Sequence, residues 1–259
     1  MKILVIIKKT PDTEAKIKIS SDGSSLELAQ TKSIINPYDE YAIEEALQIK
    51  AKQSDCEVVI VSFGDESVKE LLIKGLAMGG DRGLLIDSKG LENADSLAIA
   101  KVLSAAVKAE APDIVFAGRH AIDDDNMHVA TMVAELLEWP HVNVISKLEV
   151  DGQTATVERA IEGGQVEVYE VGLPAVFGAD KALNQPRYAS LPGIMKAKKK
   201  PLDIKTAEDF GVGSASSKVS VTSFAYPPEK PAGKVFKGED VGTMVEKVVK
   251  LLREEAKVI

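Results

Sequence analysis

The sequence predicts an α/β protein: an open, mostly parallel sheet with helices on both faces, an antiparallel hairpin addition, and a C-terminal arm ending in a helix. Three observations predict it. Continuous apolar runs stand at residues 3–7, 57–63, 83–87, 113–118 and 174–179. Such runs fit strands covered on both faces, whereas a one-sided strand alternates. Helical patterns separate the first four runs, and strand–helix alternation is the mark of this architecture. After Pro140 the pattern changes to β-rich segments punctuated by Asp151-Gly152 and Gly163-Gly164, which are hairpin steps.

Each element has its own signal. The N-terminal stretch reads as a first strand; its apolar run is short for a signal segment and no small-residue cleavage site follows. The first helix opens with Asn36 as N-cap, Pro37 at its first position and acids in the first turn. Ala42, Ile43, Ala46, Leu47 and Ile49 form its apolar stripe. Residues 65–79 and 93–110 read as the second and third helices. A fourth is expected over residues 123–139, stopped by Pro140. Residues 202–238 are poor in periodic structure and carry Pro227, Pro228 and Pro231. Such a segment wraps a surface or reaches a partner. The last helix places Val241, Met244, Val245, Val248, Leu251 and Leu252 on one face. Two units are expected: an α/β domain over 1–201, and an arm with its helix over 202–259.

The chain has 259 residues and a formal charge of −8, which argues against nucleic acid as its main partner. Cys56 is its only cysteine, so an intrachain disulfide is impossible and a reducing, cytoplasmic setting is expected. No stretch approaches the roughly 20 apolar residues of a membrane helix.

Ligands of open α/β sheets sit at the carboxyl ends of strands. The loops there contain neither a Walker motif nor a glycine fingerprint. The sharpest candidate joins Asp123, Asp124, Asp125 and Asn126 to a helix start, whose amides can hold an anion. The acids read either as helix caps or as partners of a ribose hydroxyl. His120, His128 and His141 lack a metal-ligand spacing. Cys56 has no activating neighbour, and no nucleophile–base order appears. No catalytic residue is assigned.

Residues 157–178 contain Arg159, Glu162, Gly163, Gly164, Glu167 and Pro174. That pattern resembles the signature of electron transfer flavoprotein beta subunits, with Tyr169 and Phe177 standing where aliphatics are usual. Residues 184–201 resemble the family's recognition loop, and residues 35–47, 76–83 and 118–126 match further blocks. The resemblance implies a Rossmann-like, adenine-nucleotide-binding domain and a heterodimer with an alpha subunit that holds most of the FAD. It implies AMP in the beta subunit, bound by Ile7, Lys8, Asn36, Ser62, Phe63, Gly64, Asp123, Asp125, Asn126, His128, Val129, Ala130 and Thr131. Residues 127–130 depart from the family: Ala130 stands for a glycine, and His128 is a compensating donor. Asp124 replaces the glycine often found in electron-bifurcating members, which disfavours a second FAD.

The recognition loop raises its own question, because Leu191, Ile194 and Met195 stand beside Lys196, Lys198, Lys199 and Lys200. Sequence alone leaves two readings: an amphipathic helix end, or a docking surface. The resemblance implies docking of Tyr188, Leu191, Pro192, Ile194 and Met195 onto flavin dehydrogenases such as acyl-CoA dehydrogenases. It implies onward delivery to a quinone oxidoreductase, with the chain acting as a carrier subunit rather than an enzyme. The alternatives are a bifurcating version with two flavins, and a non-redox nucleotide-binding regulatory module.

Overall fold

The computed structural model describes residues 1–213, 216–230 and 232–259, so Pro231 lies outside the described residues. Its contacts divide the chain into two compact units, Met1–Ser223 and Phe224–Ile259.

The first unit is built on a nine-stranded sheet. In chain order its elements are β1 (Lys2–Ile6), β2 (Lys9–Pro11), β3 (Ser33–Ile35), α1 (Pro37–Lys52), β4 (Glu57–Gly64) and α2 (Lys69–Met78). There follow β5 (Arg82–Asp87), α3 (Ser96–Glu110), β6 (Ile114–Gly118), α4 (Val129–Leu137), β7 (His141–Asp151) and β8 (Thr154–Ala160). The last are β9 (Val166–Gly172), β10 (Ala175–Ala179), α5 (Leu191–Ala197) and β11 (Leu202–Thr206). The sheet order is β11-β5-β4-β1-β6-β10-β7-β8-β9, with β2 and β3 forming a separate antiparallel pair. The seven strands from β11 to β7 run parallel to their neighbours. The pairs β7–β8 and β8–β9 are antiparallel. All five apolar runs read from the sequence are strands of this sheet.

Alternation inside the runs explains the double covering. Ile3, Val5, Val58, Ile60, Phe116 and Phe177 face α1 and α2, joining Ile43, Leu47, Leu72 and Leu76 in one core. Leu4, Val59, Val61, Leu84, Val115 and Val176 face the opposite way, against Val102, Leu103, Val133 and Ala134 of α3 and α4. Trp139 packs at the margin of that second core.

Two expectations need correction. The fourth helix begins at Val129 rather than at residue 123. Asp125 and Met127 hold positive φ, 52° and 57°, a conformation no right-handed helix contains, so the acidic stretch forms a loop. The segment after residue 201 does not begin as an irregular arm. Leu202–Thr206 is the edge strand beside β5. Gly83 makes that pairing possible, because a Cβ there would stand 2.5 Å from Leu202 Cδ1. Polar residues on this short edge strand hid it from a periodicity reading.

The second unit contains α6 (Val241–Glu254), which starts on Asp240 as N-cap. Among the described residues, no helix is long and apolar enough to cross a membrane.

Candidate functional site

Strands β4 and β5 lie on one side of β1, and β6 and β10 lie on the other. The chain direction across the sheet therefore reverses between β1 and β6, and ligands of such sheets gather at that point. The N-terminal end of α1 spans it. Asp39 is buried and accepts from the Lys8 N–H at 2.7 Å, the Gly118 N–H at 2.9 Å and Asn36 Nδ2 at 2.9 Å. Asn36 Nδ2 also donates to the His120 carbonyl at 2.9 Å, and Asn36 Oδ1 accepts from the Ile122 N–H at 3.2 Å. Asn36 occupies the N-cap position of α1, yet its side chain makes no capping bond. It ties α1 to the β6 loop instead. Burial pushes the Asp39 carboxyl up to about 7, against the lowering effect of its three donors.

Lys8 reaches outward from this latch. Its ammonium donates to Asp123 Oδ1 at 2.8 Å and Asp124 Oδ2 at 2.9 Å. Burial lowers the Lys8 pKa, but the two carboxylates outweigh it and hold it above the ordinary lysine value. Asp125 pairs with His120 Nε2 at 3.2 Å. His120 packs edge-on against Tyr38, with centroids 4.5 Å apart. The three acids are thus consumed by Lys8 and His120, and none caps α4.

The remaining sequence-predicted residues fall around the same strand ends. Ser62 is buried and donates to the Ile7 carbonyl at 2.7 Å. Phe63 and Gly64 end β4, and Asp65 after them accepts from Ser67 and Lys9. Asn126 and His128 are exposed, and Ala130 is buried under the loop. Thr131 donates to the Met127 carbonyl at 3.2 Å. Helices α3, α5 and α6 each start on a side-chain cap, whereas α4 starts on His128 with none. Among the described residues no side chain caps the first turn of α4, which opens on His128.

Sequence reasoning missed Asp39 as the centre of this region; three-residue spacing from Asn36 at a helix start was its only signal. It also missed Arg119, whose guanidinium lies 5.4 Å from the Tyr38 ring centre and 3.5 Å from Asp180 Oδ1. Asn143 binds the Arg119 carbonyl at 3.1 Å beside Val144, a β-branched residue at φ 62°. Near the β8–β9 hairpin, buried Arg159 Nε and His141 Nε2 find no hydrogen-bond partner among the described residues. Cys56 is half-buried, and burial pushes its thiol up. No three-residue metal-ligand cluster forms among the described residues.

A second region lies on the α1–α2 face. Ser190 caps α5 through the Gly193 N–H at 3.1 Å. The segment is therefore a helix, as one of the two sequence readings had it, but its apolar residues do not turn inward. Tyr188 is 98% exposed, Leu191 80%, Met195 74% and Ile194 40%. Of the four lysines beside it, Lys200 is turned inward, onto the carbonyls of Leu76 and Gly80. Lys196, Lys198 and Lys199 remain for the surface.

A mostly parallel, doubly covered sheet, a polar latch at its reversal point and an exposed apolar segment on one face define an α/β fold. Residues 25–209 match the electron transfer flavoprotein domain family. The chain is 42% identical to an electron transfer flavoprotein subunit beta of Bradyrhizobium diazoefficiens over 259 residues, covering 100% of both chains. It is 42% identical to that of Bacillus subtilis over 267 residues, again covering 100% of both. Against the Mus musculus subunit it is 40% identical over 251 residues, covering 96% of this chain and 98% of the relative. The chain belongs to the electron transfer flavoprotein family, among its beta subunits.

Proposed function

We propose that this beta subunit pairs with an alpha-type subunit holding most of one FAD, and that the pair carries electrons from flavin dehydrogenases, such as acyl-CoA dehydrogenases, to a quinone oxidoreductase or similar acceptor. The setting is aqueous and cytoplasmic. The chain itself makes and breaks no substrate bond. The flavin, when bound, supplies the redox chemistry; the protein supplies position and electrostatics.

One observation carries the reading: Leu191 is 80% exposed on a capped, packed helix start, flanked by exposed Tyr188 and Met195. A large apolar side chain held out on an ordered segment marks an interaction site. Burying it in a partner contributes about 1.5–3 kcal/mol, suited to a complex that must also dissociate. Pro192 stiffens the presentation, Ile194 extends the contact, and Met195 adapts to varied partners.

The chain's own residues fit the two ligand roles. The uncapped α4 start with Val129, Ala130, Thr131, His128 and Asn126 suits the phosphate of AMP, and Lys8 orders the loop through Asp123 and Asp124. Ile7, Ser62, Phe63 and Gly64 line the strand ends on the nucleoside side, while Asn36 and Asp125 brace the loop. The exposed end of Arg159, beside Glu167, gives the hairpin a cationic donor toward flavin acceptors. Residues 9–13, after β1, join the hairpin near residues 159–164 as the side of the flavin site that this subunit supplies. The second unit, with its apolar α6 face, contacts the alpha subunit.

The test is to release and identify the nucleotides of the purified heterodimer and to assay Leu191→Ala. One FAD plus AMP, with electron acceptance from an acyl-CoA dehydrogenase weakened and flavin retained, is the expected result. Two flavins would replace the reading with the bifurcating one. A colourless, monomeric product would overturn it.

A further inference from the structure

The docking loop is clamped at both ends by groups of the body. Upstream, the Arg187 guanidinium grips Glu44, with Nε donating to Oε2 at 2.7 Å and Nη2 to Oε1 at 2.9 Å. The Arg187 N–H adds a third bond at 3.1 Å. Asn184 Nδ2 binds the Tyr41 carbonyl at 3.0 Å and Glu45 Oε2 at 2.9 Å. Downstream, Lys200 Nζ donates to the Leu76 carbonyl at 3.0 Å, at the end of α2. Between the clamps, Ala197 is buried, and a Cβ on Gly193 would stand 2.7 Å from the Ala77 carbonyl oxygen. Tyr188, Leu191 and Met195 lie inside this frame, and none of them is buried.

We infer that Arg187 is a positioning residue for electron-transfer docking: through its two-pronged bond to buried Glu44 it holds Tyr188 and Leu191 in the presented geometry before a partner arrives. This rests on the docking reading above. A free loop would order on contact, and each side chain immobilised at that moment would cost affinity. A loop already ordered avoids that cost, so the anchor acts on affinity and leaves the transfer step alone. Glu44 is suited to the task because it is fixed on α1 and almost wholly covered. Desolvation raises its pKa, but Arg187 holds it below the ordinary glutamate value. Substituting Arg187 leaves that carboxylate with only Gln48 Nε2 at 3.2 Å and the residue-187 N–H, so the loop end loses the fork that fixes its geometry. Neither role is legible in sequence, since Glu44 and Arg187 are separated by 143 residues.

The test uses the intact heterodimer as electron acceptor and a purified acyl-CoA dehydrogenase, reduced by its acyl-CoA substrate, as donor. Arg187→Gln is expected to raise KM for the heterodimer about tenfold while kcat and flavin content stay at wild-type values. Arg187→Lys, which keeps the charge and loses the fork, falls between. The double variant Glu44→Gln with Arg187→Gln recovers part of the loss, because no carboxylate is then left without its guanidinium. If Leu191→Ala raises KM but both Arg187 variants leave it unchanged, the anchor is wrong and the docking loop stands. If Leu191→Ala also leaves KM unchanged, the docking reading fails first. Loss of flavin or of kcat in Arg187→Lys, with KM unmoved, would show a merely structural residue and overturn the inference.

Discussion

At the residue scale, the region between β1 and β6 depends on one carboxylate and one missing side chain. Asp39 gathers donors from α1, β1 and β6, and it can do so because Gly118 leaves room. A Cβ at residue 118 would stand 2.5 Å from Asp39 Oδ1 and 2.6 Å from Tyr38 Cβ. Gly118→Ala is therefore expected to destabilise the chain by about 1–3 kcal/mol, read as a lowered denaturant midpoint with unchanged slope. The carboxyl also sets a pH dependence. Its folded pKa, about 7, lies above the ordinary 3.8. The folded state thus holds the extra proton between those values, and the Asp39 contribution to stability is greatest in acid. It declines as pH rises through that window and levels off above about 7. Chemical denaturation from pH 4 to 8 should show this decline, and Asp39→Asn should lack it; an identical slope in the variant would refute the assignment. The partner groups to control are Lys8, Asp123 and Asp124, because Lys8 pairs with both acids near the same strand end.

At the element scale, the strands and the first three helices were legible because burial on two faces writes continuous apolar runs, and capping residues mark helix starts. What the sequence hid was set by contacts distant along the chain. The start of α4 is delayed by two left-handed residues, Asp125 and Met127, in a loop whose acids serve Lys8 and His120, a pairing across more than 100 positions for Lys8. The edge strand β11 is polar because one side lies open to solvent. The candidate site was legible as a set of loops but not as a network, since Asn36 looked like a cap and is a cross-brace. The segment around Leu191 was the subtler case. Its sequence suits an amphipathic helix, and α5 is a helix, yet only Ala197 of its residues is buried. The seat of α5 on α2 depends on Gly193. Gly193→Ala is expected to push α5 away from the Ala77 carbonyl, lower Tm by a few degrees and weaken electron acceptance by about the same factor as Leu191→Ala. Differential scanning calorimetry with the dehydrogenase assay checks both, and a wild-type KM at lowered Tm would separate stability from docking.

At the scale of the whole molecule, the two units differ in how they could stand alone. The first carries both buried cores, so it has its own means of staying folded. The second buries none of α6, although Val241, Val245, Val248 and Leu252 are all exposed along it. Val235 and Phe236 line an open groove with the same helix face. An amphipathic helix with no apolar residue buried is a poor independent element, because helix stability comes mainly from packing its apolar stripe. A partner surface is the natural cover, and the heterodimer proposed above provides one. Removing Phe224–Ile259 should therefore leave the first unit folded, with Tm close to that of the isolated full chain. The same deletion should abolish recovery of a flavin-bearing complex when the alpha-type subunit is co-expressed. Two charges on the helix face, Val245→Asp with Val248→Asp, test the point without truncation and should weaken assembly by about 2 kcal/mol or more. Size-exclusion chromatography with flavin absorbance reads both. An intact, yellow heterodimer from either variant would mean that the arm is not the clasp.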